Sequence, residues 1–226
     1  MDNSLVIQIQ NQAVEFAKVL PKYITVEKFT RIAITEIRNN PRLLNCKPSS
    51  ILGCLMQAAE LGLSISKTTG HAYLNAYKDE CTLLIGYKGL IDLAKRSDTI
   101  KSIEAHVVKE MDEFQVDLGS KKNIHHLPLY AKENQKVIAV YAIAVLSNGE
   151  SQFEVMTMED VMHVKKSAKT DKIWNEHFNE MAKKTAIRRL LKYVGGIQEV
   201  DLANEYDSDL RQSQASKITE KLNITG

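Results

Sequence analysis

The segment LLIGYKGLIDLAKRS, Leu83 to Ser97, commits the chain to mixing sheet with helix. An apolar, strand-like run breaks at Gly86 and Gly89 and becomes a short helix. Tyr87, Leu90, Ile91 and Ala94 follow i, i+3, i+4, i+7 spacing and form a face that must enter a core. Lys88, Asp92, Lys95 and Arg96 fall together on another face, free to meet solvent or an anion. The two glycines are expected to leave backbone amides exposed at the helix start, where the helix dipole favours phosphate. A solvated charged face, with Asp92 paired to Lys88 or Arg96, explains the same pattern. A nucleotide-binding turn does not, because neither GxGxxG nor GxxxxGKS/T occurs in the chain.

Either side of this segment the periodicity changes. Residues 4–20 and 25–39 carry helical spacing, and the second stretch ends before Pro41. Pro48 and Ser49 open a further helix, Ser50 to Leu61, with Gly62 as its C-terminal stop. From Gly70 the pattern is that of strands: GHAYLNAY, an acidic turn at Asp79 and Glu80, then CTLLIG form a hairpin. After the Gly86 to Ser97 helix, IKSIEAHVVKE and EFQVDLG are again strand-like. KVIAVYAIAVL then joins QFEVMT through Ser147, Asn148 and Gly149, which is favourable turn chemistry. Helices over 157–168 and 173–194 complete the pattern. The fold class is α+β, a hairpin-containing antiparallel sheet with flanking helices. Residues 1–196 are expected to form the core domain, and residues 197–226, polar and acidic, a linker and loosely ordered tail.

Several function classes fall away. The longest apolar run, Val137 to Leu146, has ten residues, half of what a membrane span needs (about 20). The N-terminus MDNSLVIQIQNQ lacks the features of a signal peptide, so a cytoplasmic location is expected. Cys46, Cys54 and Cys81 are odd in number without a CxxC pair, and read as buried free thiols. His125 and His126 are neighbours on a strand, point to opposite faces and suit a strand-end structural role better than metal ligation. There is no GxSxG elbow and no HExxH, and Asp112 with Glu113 reads as a solvated acidic pair. No cofactor is implied.

Charge is the positive signal. The formal net charge of +2 conceals +6 over residues 161–196, against −3 over 197–226 and −1 over 1–160. So concentrated a positive stretch points to a polyanionic partner. Within the last helix the apolar stripe changes sides. Trp174, Phe178 and Met181 share one face, which Arg188, Arg189 and Lys192 occupy further along, while Ile187, Leu190, Leu191 and Val194 lie opposite. A straight helix would present aromatics running into cations, suited to single-stranded nucleic acid. A kinked one would leave Trp174 and Phe178 in the core. Lys165, Lys166 and Lys169 precede it, and with Lys183, Lys184, Arg188, Arg189 and Lys192 they are too many for helix capping alone.

GHAYL, LLIGYKGLIDLAKRS, QFEVMT and EMAKKTAIRRLLKYV occur in the order and approximate spacing of the RecT family of phage single-strand annealing proteins, which the chain resembles from about Thr30 to Val194. TEIRNNPRLLNC and AAELGL fit as well. The resemblance implies a Rad52-like annealing core, ATP-independent binding of single-stranded DNA, and annealing of complementary strands in homologous recombination. It also implies a ring or filament of identical subunits, and partners such as a phage exonuclease and a host single-strand-binding protein. Carried onto this chain, the DNA contacts it implies are Lys88, Lys95, Arg96, Lys183, Lys184, Arg188, Arg189 and Lys192; Tyr87 and the preceding cations Lys165, Lys166 and Lys169 are expected to join them. No catalytic residue is expected. A passive coating protein and a metal-dependent nuclease are the alternative readings.

Overall fold

The computed structural model describes residues 3–130, 135–167, 172–194 and 197–206. The chain divides into two compact units, Met1–Ala94 with Ile197–Gly226, and Lys95–Gly196.

The first unit begins with helices α1 (Asn3–Asn11) and α2 (Ala13–Val19), where the sequence pattern suggested one helix, and continues with α3 (Val26–Arg38). Thr25 caps α3 by accepting a hydrogen bond from the Lys28 amide at 3.3 Å. A short 3-10 turn, Pro41–Asn45, leads to α4 (Pro48–Glu60). Gly62 ends α4 as expected: it has φ +59°, its amide bonds Ala59 and the Leu63 amide bonds Ala58. That is a Schellman stop. Strands β1 (Ala72–Tyr77) and β2 (Glu80–Ile85) form the antiparallel hairpin, with Leu74 opposite Leu83. Its inner residues Ala72, Leu74, Leu83 and Ile85 are buried, and it packs on α4. Lys47 ties the hairpin turn to the start of α4, pairing with Asp79 at 2.9 Å and Glu80 at 2.7 Å. Helix α5 (Tyr87–Arg96) follows, and the boundary between units falls inside it, after Ala94.

Where a linker was expected from residue 197, residues 198–206 form a helix. Ile197, Val200 and Ala203 are buried, and the Tyr206 hydroxyl bonds the Glu60 carboxylate. Apolar residues spaced three apart give even this acidic stretch one face to bury. The rest of the expected tail, 207–226, lies outside the described residues.

The second unit is built on a three-stranded antiparallel sheet in the order β3-β6-β7: β3 (Ile100–Lys109), β6 (Val137–Leu146) and β7 (Ser151–Thr157). The central strand VIAVYAIAVL must be covered on both faces. Val140, Ala142 and Ala144 are fully buried, and helix α8 (Phe178–Val194) packs against all three strands through Ala182, Ala186, Ile187, Leu190 and Leu191. Small side chains on both sides let the helix approach the sheet closely. The alternate residues Ala139 and Tyr141 join Val108 in a cluster with Phe114 and Ile124. The last two come from a separate ribbon, β4 (Glu113–Asp117) with β5 (Asn123–Leu127). The sequence reading delimited β4, and of β5 it placed only His125 and His126 on a strand. Helix α6 (Met158–Lys166) starts at a capping box in which Thr157 and Asp160 exchange hydrogen bonds. A short α7 (Lys172–Glu176) precedes α8.

Candidate nucleic-acid interface

Each unit brings its own cations to the surface. In the first, the reason for two glycines at the start of α5 is close backbone approach. A Cβ on Gly86 would lie 2.2 Å from the Gly70 carbonyl oxygen, and one on Gly89 2.3 Å from that of His71. Both glycines are buried, and the Gly86 amide donates to the His71 carbonyl at 2.8 Å. This corrects the expectation of exposed, phosphate-binding amides: packing against the 70–71 backbone takes their place. Asp92 approaches His71 at 3.8 Å. Lys88 is exposed, and its stem passes beside Gly70, as does the Tyr73 hydroxyl. Tyr87 is half-buried, as its position on the core-facing stripe requires.

In the second unit the last turn of α5 carries exposed Lys95 and half-buried Arg96, a favourable place for cations at a helix C-terminus. Lys165 donates to the Asn175 side chain at 2.8 Å, Lys166 is exposed, and Lys169 lies outside the described residues. The helix expected over 173–194 is interrupted at His177, between α7 and α8. Trp174 is 3% exposed and its ring centroid lies 6.0 Å from that of Phe178. Of the two readings of the switching stripe, the structure therefore has the interrupted one, with Trp174 in the core.

Along α8, Lys183 pairs with Glu180 at 3.0 Å, while Lys184 and Arg188 are half-buried. Arg189 reaches Glu154 of β7 at 2.6 Å and Asp160 of α6 at 3.5 Å, so it clasps three elements together. Lys192 is exposed in the final turn, next to Tyr193, 67% exposed and not singled out by sequence. Tyr73 was likewise missed, although the alternation in AYLNAY signals an outward tyrosine.

The other polar clusters are structural. Asp112, read from sequence as solvated, is enclosed, its side chain 2% exposed. It accepts the Lys109 amide at 2.8 Å and the Leu129 amide at 2.9 Å, and meets His126 Nε2 at 3.1 Å. His126 Nδ1 lies 3.2 Å from the Tyr141 hydroxyl. The tight turn between β3 and β4 brings this carboxylate inward, which strand periodicity does not foresee. Burial alone would raise the pKa of Asp112, but the two amides and His126 outweigh it and hold the carboxyl below its ordinary value. Cys46, Cys54 and Cys81 are buried free thiols. Among the described residues no group of three or more His, Cys, Asp or Glu is arranged to hold a metal ion, and no helix is long and apolar enough to cross a membrane.

Comparison with known proteins accounts for most of the chain. The family model of the RecT family matches residues 27–220. Protein RecT of Escherichia coli (strain K12) is 41% identical over 218 residues, covering 91% of this chain and 81% of that protein. The uncharacterized protein YqaK of Bacillus subtilis (strain 168) is 29% identical over 209 residues, covering 85% of this chain and 72% of its own length. A match spanning both compact units, with GYKG at the head of α5 and KKTAIRRLLK along α8, places the chain in the RecT family.

Proposed function

We propose that the protein binds single-stranded DNA and anneals complementary strands without ATP, as the pairing step of phage-type homologous recombination. The observation that carries this reading is the run of lysines held at the surface of α5, α6 and α8 in a chain of this family. Lys88, Lys95, Lys166 and Lys192 are exposed. Annealing breaks and makes no covalent bond, so it asks for cations that offset repulsion between two phosphate backbones while base edges stay open. Lys183, Lys184, Arg188 and Arg96 reinforce the positive field, with Tyr87 fixing α5 below Lys88. Lys165, Lys169 and Arg189 complete the set, Arg189 chiefly by holding α8 to β7 and α6. Weak sequence preference follows, because phosphate contacts carry no base information.

The reading extends to assembly. Identical subunits would line up as a ring or filament so that successive sites follow one strand, on a core of Rad52-like type. The assembled subunits would meet a phage exonuclease and the host single-strand-binding protein, in the cytoplasm of the host cell.

Binding of a labelled single-stranded oligonucleotide, followed by anisotropy across a salt series, tests the site. Each phosphate neutralised adds about 0.7 to the slope of log K against log salt. Lys88→Ala and Lys192→Ala are each expected to flatten the slope by about that amount. Slopes equal to that of the wild type would remove these lysines from the interface.

A further inference from the structure

Strand β1 turns a row of side chains outward whose chemistry the hairpin itself does not require. Its inner residues, Ala72 and Leu74, are buried against α4, while Tyr73, Asn75 and Tyr77 alternate to the other face. Tyr73 and Tyr77 are each 37% exposed. Alternation explains where they point, but an outward position on a two-stranded sheet needs no aromatic ring.

The surroundings of Tyr73 are specific. Its ring lines a small recess with Leu43, Ile65, Lys67, Asn40 and Glu36. Lys67 is exposed, and its amide donates to Glu36 at 3.3 Å. On the other side, a Cβ on Gly70 would meet the Tyr73 hydroxyl at 3.1 Å and Cδ of Lys88 at 3.4 Å, so ring and lysine stem converge on one point of backbone. Tyr73 therefore has two lysines in its neighbourhood, Lys67 in the recess and Lys88 by Gly70. Further along β1, Lys78 lies over the ring of Tyr77, 5.7 Å from its centroid. Three residues of strand separate the two tyrosines, a rise of about 13 Å, too far to share a base.

We propose that Tyr73 is a base-stacking contact for single-stranded DNA, with Lys67 and Lys88 taking the adjacent phosphates, and that Tyr77 continues this surface along β1. The proposal rests on the DNA-binding reading above and adds bases to what the lysines do with phosphates. An aromatic ring near cations matches the two parts of a nucleotide, apolar base and anionic backbone. Stacking occupies the flat face of a base and leaves its pairing edge open, which annealing requires.

The test compares an oligo-dT strand with an abasic strand of equal phosphate number, each titrated by anisotropy over a salt series. The wild type is expected to prefer oligo-dT. Tyr73→Ala is expected to weaken oligo-dT binding about 5-fold or more, with little change on the abasic strand and an unchanged salt slope. Tyr73→Phe, which keeps the ring, restores the preference that Tyr73→Ala removes. Lys88→Ala, by contrast, weakens both strands and flattens the slope. A wild-type ratio of oligo-dT to abasic affinity in Tyr73→Ala overturns the proposal, and so does an equal loss on both strands. A changed subunit assembly with the ratio intact overturns it too, and marks the face as a protein contact. A wild type that binds neither strand overturns the DNA-binding reading itself, an outcome read without any variant.

Discussion

At single residues, the buried polar chemistry of Asp112 serves packing. Asp112 holds the start of β4 to the segment after β5, using both carboxylate oxygens as acceptors of backbone amides. Asp112→Asn would turn a donor against one of those amides, and about 1–3 kcal/mol of stability should be lost. The pH dependence carries a definite sign. Because the folded carboxyl titrates below its ordinary value, its contribution is complete above the unfolded value of about 3.9 and disappears as pH falls through the lower folded one. Urea unfolding at a series of acidic pH values should show wild-type stability falling in that window and a flatter profile for Asp112→Asn. Equal profiles would deny Asp112 that role. Gly89 gives a prediction of opposite sign to the usual rule. Replacing a helical glycine by alanine ordinarily stabilises by up to about 1 kcal/mol. Here the new Cβ would meet the His71 backbone, which no rotamer change relieves, so Gly89→Ala should lower the urea midpoint, with a cost of about 1–3 kcal/mol.

Among the elements, α8 shows why some of the site was legible and some was not. Its buried side, Ala186, Ile187, Leu190 and Leu191, follows from helical spacing, and so do the cations left facing out. The break at His177 was visible only as an apolar stripe that changes sides, a pattern equally compatible with a straight helix. What decides it is tertiary, because Trp174 is buried and Arg189 is drawn to Glu154 and Asp160. Similarly, the position of α5 was plain from its two faces, but the need for Gly86 and Gly89 lies in a distant pair of residues, Gly70 and His71. Strand β5 was legible only at His125 and His126, because its short alternation is mostly polar and its extent is set by pairing with β4, which propensity does not supply. Two cations of α8 should separate in experiment. Arg189→Ala breaks a clasp among three elements and should lower Tm by a few degrees, about 1 kcal/mol for partly exposed pairs. Lys192→Ala, at an exposed position, should leave Tm unchanged and register only in the salt dependence of DNA binding. Calorimetry on both proteins checks the distinction, and equal melting temperatures would place Arg189 with the surface lysines.

For the whole molecule, two compact units share one charge logic: apolar faces close each core and lysines are left on the outer turns of α5, α6 and α8. Such an arrangement suits the sequence-independent DNA binding proposed above, and the chain's membership of the RecT family supports an annealing role for it. A passive coating protein would use the same lysines and yet hold strands apart, so affinity alone does not separate the two activities. The direct measurement mixes two complementary, fluorescently labelled oligonucleotides with the protein, without nucleotide and in the presence of EDTA, and follows the pairing rate. A rate well above the spontaneous one is expected. Tight binding of each strand with pairing no faster than without protein would contradict annealing and leave a protein that only coats DNA.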